Sequence, residues 1–179
     1  MKPFALALSL AMFAAPAFAN PDVGGAAMLE TKNIIENAVN SADHTTLVAA
    51  VKAAGLVDAL MGAGPFTVFA PVNDAFAALP AGTVDTLLKP ENKDMLVKVL
   101  TAHVVAGDLS TADLMAMAKK SPDGFANLQT LSGDALSVKA KGGKLFVYSE
   151  SRNIGEITIG DVDQSNGVIH VINAVLVPK

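Results

Sequence analysis

Cysteine and tryptophan are absent from this chain of 179 residues, and tyrosine occurs once, as Tyr148. Without cysteine the chain cannot form a disulfide and offers no thiol for lipid attachment, so its fold must rest on packing. The scarcity of aromatic rings and the formal net charge of −4 argue against nucleic-acid binding, which needs a concentrated basic surface and stacking platforms. We therefore expect a protein that has no disulfides and does not bind nucleic acid.

The first residues have the pattern of a secretory signal peptide. Residues 1–3 form a short positive start, residues 4–15 are largely apolar, and residues 17–19 give the small-residue ending that fits cleavage after Ala19. The apolar run is shorter than the roughly 20 residues of a membrane span, and no later run reaches that length. We therefore predict a secreted or periplasmic protein without a transmembrane anchor. A buried first helix is the alternative interpretation.

Cleavage at that point leaves the usual length of one domain. Residues 20–27 contain glycine, alanine and a proline without any period, which predicts a flexible leader. Periodic patterning begins near Met28. We assign residues 1–19 to the signal peptide and residues 28–179 to a single domain.

The two halves of that domain differ in their hydrophobic period. Apolar residues recur at helical spacing from residue 34 to residue 60 and again over residues 92–103, whereas alternation begins after Ser121. The pairs Gly142-Gly143 and Asn166-Gly167 tolerate positive φ, as two-residue hairpin turns require. Helices first and strands last, without regular βαβ alternation, predict an α+β fold.

The stretch 66–76 passes from strand to helix within a few residues. Its first residues are aromatic, β-branched and apolar, as a buried strand requires, and Pro71 ends that strand. Asn73 or Asp74 is then the predicted N-cap of the helix that follows.

Three further helix ends can be predicted from capping residues. Ser41 or Asp43 is the candidate cap of the helix that contains Leu47, and Gly55 suits the left-handed position after its end. Ser110 begins a sequence that resembles a capping box, so a further helix should start there.

Two motifs at opposite ends of the domain resemble signatures of the fasciclin (FAS1) domain family. They are residues 67–76 and residues 166–172, the second continuing to residue 178, and the resemblance spans about residues 30–179. It implies a FAS1-like fold, in which several α-helices pack against an antiparallel β-sandwich or wedge. The motif residues to which we assign a structural role are Thr67, Val68, Phe69, Ala70, Pro71, Asn73, Asp74, Phe76, Asn166, Gly167 and His170.

A third segment is similar to the central Tyr-His segment of the family, with Ala102 at the tyrosine position. That segment is associated with integrin binding in animal members, so the resemblance implies partner binding here. The candidate residues are Thr101, His103, Val104 and Val105. The residue pattern also allows a structural interpretation, in which His103 ends an apolar helical stripe and satisfies a buried hydrogen bond.

His170 lies between aliphatic neighbours on a predicted strand. A neutral imidazole in such a position can join two elements by hydrogen bonding through both ring nitrogens. We therefore favour a structural role for His170 over a catalytic one.

No motif in the sequence predicts catalysis or metal binding. The spacing of Asp161, Asp163 and Ser165 matches the start of a calcium loop, but Asn166 and Ile172 occupy the positions of its glycine and bidentate glutamate. The histidines lack the spacing of a zinc hydrolase, and there is no Gly-x-Ser-x-Gly elbow. We predict a protein that is not an enzyme and has no metal or other cofactor.

These observations favour a non-enzymatic interaction module outside the cytoplasm. Its predicted role is cell adhesion or contact with the cell surface or extracellular matrix, through an envelope or extracellular protein or glycan. The alternative is a small secreted hydrolase or ligand-binding protein that uses a pocket near His103 or His170. The identity of the partner and the oligomeric state are left open.

Overall fold

The computed structural model describes residues 20–179, and the predicted signal peptide lies outside the described residues. The α-helices of this part are α1 (Ile34–Ala38), α2 (Thr45–Ala54), α3 (Val57–Met61), α4 (Asn73–Ala77), α5 (Thr83–Leu87), α6 (Lys93–Thr101) and α7 (Thr111–Lys120), with 3-10 turns at Ala42–His44 and Pro90–Asn92. The strands are β1 (Asp22–Val23), β2 (Ala26–Ala27), β3 (Phe66–Pro71), β4 (Val104–Ala106), β5 (Ala126–Gln129), β6 (Ala135–Lys141), β7 (Lys144–Ser149), β8 (Ile154–Gln164) and β9 (Gly167–Ile172).

The main sheet has the strand order β4-β3-β9-β8-β7-β6-β5. Its neighbouring strands are antiparallel except β3 and β9, which run parallel. The two edges meet at one end, where Val105 and Thr130 form a bridge and the N–H of Leu131 donates to the carbonyl of Val104 at 2.8 Å. The sheet therefore curls into a closed, wedge-like shape. The α+β class expected from the sequence is confirmed.

Two apolar cores lie on opposite sides of the central strands. The first core packs the helices α1 to α6 against the sheet, and the second packs α7 against strands β5 to β9. Strand β3 alternates between them, because Val68 and Ala70 face the first core and Phe69 faces the second. Residues buried on both faces explain why β3 and β9 are nearly continuous apolar runs in the sequence.

Several local predictions are confirmed. Gly142 and Gly143 form the two-residue loop between β6 and β7, with φ angles of 61° and 79°. Gly55 adopts the left-handed conformation after α2. Ser110 and Asp113 form the capping box of α7, in which each side chain bonds the backbone of the other.

The segment predicted to be a flexible leader has regular structure instead. Strands β1 and β2 form a small hairpin around Gly24 and Gly25, whose φ angles are 60° and 75°. Val23 is 3% exposed and belongs to the first core. One buried valine produces no periodic pattern, so this contact could not be predicted from hydrophobic periodicity.

The turn between β8 and β9 also differs from the prediction. The loop residues are Ser165 and Asn166, whereas Gly167 is already the first residue of β9 and has a φ of 148°. A Cβ atom on Gly167 would lie 1.9 Å from the carbonyl oxygen of Phe66. The glycine is therefore required by the close approach of β3 to β9 rather than by the turn.

Candidate functional site

The predicted partner-binding segment lies mostly in the core. His103, Val104 and Val105 are 3%, 3% and 4% exposed, because the chain passes from α6 directly into β4 between the two cores. Thr101 is partly exposed, and its hydroxyl donates to the carbonyl of Val97 within α6 at 2.7 Å. Contrary to the prediction, the three buried residues offer no surface to a partner.

Both ring nitrogens of His103 are engaged. The backbone N–H of Leu176 donates to Nε2 at 2.8 Å, so the ring proton lies on Nδ1 and is donated to the carbonyl of Val99 at 2.7 Å. Burial lowers the pKa of His103 to about 4, against the opposing effect of the Val99 carbonyl. This neutral imidazole fastens the C-terminal segment to α6.

His170 joins three parts of the chain in the same way. The N–H of Asp161 on β8 donates to Nδ1 at 3.2 Å, and Nε2 donates to the carbonyl of Leu109, just before α7, at 2.8 Å. Burial lowers the pKa of His170, while the Leu109 carbonyl and the charge of Asp161 raise it. The ring centroid is 5.6 Å from that of Phe69. The predicted bonding through both ring nitrogens is confirmed.

Within residues 20–179, no hydroxyl group is hydrogen-bonded to the His170 imidazole. The hydroxyl of Thr111, which could serve as a nucleophile, bonds the carboxylate of Asp161 rather than the imidazole. A nucleophilic hydroxyl is normally activated by a base within hydrogen-bond reach. Within residues 20–179, no group of three His, Cys, Asp or Glu side chains is placed to hold a metal ion.

Asn73 caps a helix, but not the helix that it begins. The N-cap of α4 is Val72, and no side chain caps that end. The side-chain oxygen of Asn73 instead accepts from the N–H of Thr46 at 3.0 Å, in the first turn of α2, and its amide donates to the carbonyl of Ala42 at 2.8 Å. The predictions that Asn73 or Asp74 caps α4 are therefore wrong.

The predicted caps of α2 are also wrong. The N-cap position of α2 is occupied by His44, which makes no capping hydrogen bond with its side chain. Ser41 instead bonds the ring of His44. The capping oxygen of α2 comes instead from Asn73, at the start of α4 and 27 residues after Thr46 in the chain.

The other motif residues hold segments together. The hydroxyl of Thr67 accepts from the N–H of Leu109 at 3.0 Å and donates to the carbonyl of Gly107 at 2.7 Å. The side chain of Asn166 accepts from the N–H of Ile34 at 3.1 Å and donates to the carbonyl of Leu60 at 2.8 Å. The remaining apolar motif residues are buried: Val68, Phe69, Ala70, Pro71 and Phe76.

A cavity of about 150 Å³ lies in the first core, between the helices and the sheet. Its lining is almost entirely apolar and includes Leu47, Val51, Val68, His44 and His103. The cavity is also lined by Thr101 and Val104 of the predicted partner-binding segment. Neither ring nitrogen of His103 is free to bind a ligand there.

His44 was not singled out by the sequence, yet it differs from the other two histidines. It is 3% exposed, and its Nδ1 lies 2.9 Å from the hydroxyl of Ser41. Among the described residues, its Nε2 is the one buried side-chain nitrogen or oxygen without a hydrogen-bond partner. Burial lowers the pKa of His44, whereas the nearby Ala70 carbonyl and the charge of Asp43 raise it. The Ala70 carbonyl does not form a hydrogen bond of normal geometry with Nε2.

The outer face of the sheet carries a row of exposed and partly exposed side chains. Strand register aligns Asn127, Ser137, Tyr148 and Ile154 across β5, β6, β7 and β8. Phe125 packs edge-on against Tyr148, with ring centroids 5.4 Å apart. We call these five residues the outer-face row. They line a shallow groove together with Asp123, Ser149 and Arg152.

No helix within residues 20–179 is both long and apolar enough to cross a membrane.

Comparison with known proteins identifies one family. The model of the fasciclin domain matches residues 42–178. Protein sll1483 of Synechocystis sp. is 51% identical over 156 residues, which cover 87% of this chain and 79% of that protein. The immunogenic protein MPB70 of Mycobacterium bovis is 36% identical over 146 residues, which cover 79% of this chain and 66% of that protein.

A solved structure has a similar fold. It is a FAS1 domain pair from the insect cell adhesion molecule fasciclin I, with a TM-score of 0.72 and 18% sequence identity. The match covers 81% of this chain and 50% of the insect chain.

Proposed function

Because this chain belongs to the fasciclin domain family, we propose that it is an exported interaction module whose contact surface is the outer-face row. The signal-peptide pattern over residues 1–19 supports export, with processing after Ala19. The structural neighbour comes from a cell adhesion molecule, which supports a role in adhesion. The module acts by binding, and its partner is a component of the cell envelope or the extracellular space.

The observation that carries this proposal is the concentration of aromatic side chains on one face. Of the six aromatic residues in the described chain, Phe125, Phe146 and Tyr148 are partly exposed on strands β5 to β7 or beside them. Tyrosine, phenylalanine and arginine are enriched in protein interfaces, where amphipathic rings contribute large contact areas. Elsewhere in the described chain, the remaining phenylalanines lie in or against the first and second cores.

The chemistry of the outer-face row favours a glycan as the partner. The rings of Phe125 and Tyr148 can stack on the apolar faces of sugar rings, and Asn127 and Arg152 can bond to sugar hydroxyls. The ammonium group of Lys139 lies 4.5 Å from the centroid of the Phe125 ring and helps to hold that ring in position. A protein partner would use the same aromatic anchors.

The test is binding of the purified mature chain to a glycan panel and to proteins captured from envelope extract. Tyr148→Ala should weaken binding at least tenfold, because central aromatic residues dominate interface energies. Met95→Ala is the matched control, since Met95 is 60% exposed on α6, outside this face. If binding survives in Tyr148→Ala, the contact surface is not the outer-face row.

The same preparation tests export and the enzymatic alternative. The intact mass of the processed protein should correspond to a chain that starts at Asn20. Recovery of the full-length chain from membranes would contradict the proposed export. An ester and glycoside substrate panel should show no turnover, and turnover that disappears in a folded His170 variant would favour the hydrolase.

A further inference from the structure

The first core contains a polar atom that the fold leaves without a partner. Nε2 of His44 is buried without a hydrogen-bond partner, and His44 lines the 150 Å³ cavity, whose lining is nearly all apolar. Buried polar groups in folded proteins are almost always hydrogen-bonded, so an exception requires an explanation. A hydrogen bond to His44 inside the cavity would remove the penalty for burying this atom.

Water is a poor occupant of this cavity. A buried water molecule usually makes two to four hydrogen bonds to polar groups. The other buried polar side chains around the cavity have partners, since both nitrogens of His103 are bonded and the Ser41 hydroxyl bonds His44. An apolar cavity of about 150 Å³ stays dry and accommodates a molecule the size of benzene. A ligand that combines an apolar body with one polar group matches the cavity better than water does.

We propose that this cavity binds a small neutral hydroxyl compound of about one ring in size, such as a phenol, with its hydroxyl on Nε2 of His44. A hydroxyl group both donates and accepts, so it can bond Nε2 in either tautomer of the ring. The tautomer itself is set by whether the Ser41 hydroxyl donates to Nδ1 or accepts from it.

Neutral ligands are favoured over ions. The deep part of the cavity is lined by aliphatic side chains such as Ile34, Val51 and Ile169, which cannot compensate a buried charge. Lys52 also belongs to the lining, but it is exposed. Together with the exposed residues Ala59 and Leu131, it indicates where the cavity approaches the protein surface.

The test compares phenol, benzene and benzoate as probes of the full mature chain. Titrations followed by methyl NMR and calorimetry should show saturable binding of phenol, at least tenfold tighter than that of benzene, and no saturable binding of benzoate. The ¹⁵N resonance of His44 Nε2 should shift on saturation with phenol, whereas those of His103 and His170 should not. Equal affinities for phenol and benzene, or an unmoved His44 resonance, would overturn the proposal.

Two variants separate the roles of shape and polarity. His44→Phe should reduce the affinity for phenol to that for benzene, while benzene still binds. Val51→Phe fills the cavity and should abolish binding of both compounds, whereas the surface control Met95→Ala should bind as the unmodified chain does. If a cavity variant does not fold, the His44 resonance in the unmodified chain still decides the outcome. Unchanged phenol affinity in folded His44→Phe would refute the role of Nε2.

Discussion

The side-chain oxygen of Asn73 accepts a hydrogen bond from the backbone N–H of Thr46 at 3.0 Å, although the two residues lie 27 positions apart. The hydroxyl of Thr45 donates to the same oxygen at 3.2 Å. One side chain thus caps α2 and fixes the junction of β3 and α4 against it. This contact connects the first signature of the family to the helical layer.

Replacing Asn73 should destabilise the protein, whereas replacing its neighbour should not. Asn73→Ala removes a capping oxygen and leaves the Thr46 N–H without its partner, so the free energy of unfolding should fall by about 1–2 kcal/mol. Asp74→Ala is the matched control, because Asp74 is exposed and its side chain caps no helix of the described chain. It should change stability by less than about 0.5 kcal/mol. Urea denaturation measures the free energy of unfolding of both variants. Equal losses of stability in the two would contradict the assigned roles.

Acid should destabilise the folded protein through its buried histidines. Burial lowers the pKa of His103 to about 4 in the folded state, from the ordinary value of 6.5 that it has in the unfolded chain. Between these values the unfolded chain binds the proton and the folded chain does not, so the free energy of unfolding falls as the pH drops from 6.5 towards 4. The lowered pKa values of His44 and His170 act in the same direction. The contribution of His103 alone is roughly 3 kcal/mol over this range.

Urea unfolding at pH 7, 6 and 5 measures this effect. His103→Gln should reduce the dependence on pH, because the titration of His103 is then removed, even though the variant starts from a lower stability. A urea midpoint that stays constant between pH 7 and pH 5 would disagree with the burial of neutral imidazoles.

Removal of the His170 ring should weaken the fold. His170→Leu leaves the Asp161 N–H and the Leu109 carbonyl without partners, at roughly 1–3 kcal/mol for each group that remains buried. Charge reversals at the exposed residues Lys119 and Lys120 should stay within about 0.5 kcal/mol. Thermal and chemical unfolding of both sets provides the comparison. A His170→Leu protein as stable as the lysine variants would contradict the bridging role.

A methyl group at Gly167 should not be tolerated. The Cβ atom would lie 1.9 Å from the carbonyl oxygen of Phe66, so Gly167→Ala must break the pairing of β3 with β9 or unfold the chain. Gly107→Ala is the control, because Gly107 also has a positive φ, of 110°, but nothing lies within 4 Å of its Cβ position. The control should cost only the backbone strain, about 1–2 kcal/mol. Circular dichroism and unfolding curves distinguish the two, and a well-folded Gly167→Ala protein would refute the close contact.

The sequence determined those features that depend on neighbouring residues. The alternation in β6 and β7, the Gly142-Gly143 turn, the left-handed Gly55 and the capping box of Ser110 all arise from interactions within a few positions. The two signatures, at residues 67–76 and 166–172, were sufficient to indicate the family and its fold.

Tertiary structure alone decided which groups meet across the chain. Asn73 could cap α4 as its sequence context suggests, but packing of α2 against the junction offers it the Thr46 N–H instead. The role of each histidine is equally undecided by its neighbours in the sequence. It depends on whether distant backbone groups, such as the N–H of Leu176, reach the ring nitrogens. His44 keeps one nitrogen unbonded because no backbone group approaches it with suitable geometry. Such contacts are set by the packing of whole elements, which local residue patterns do not encode.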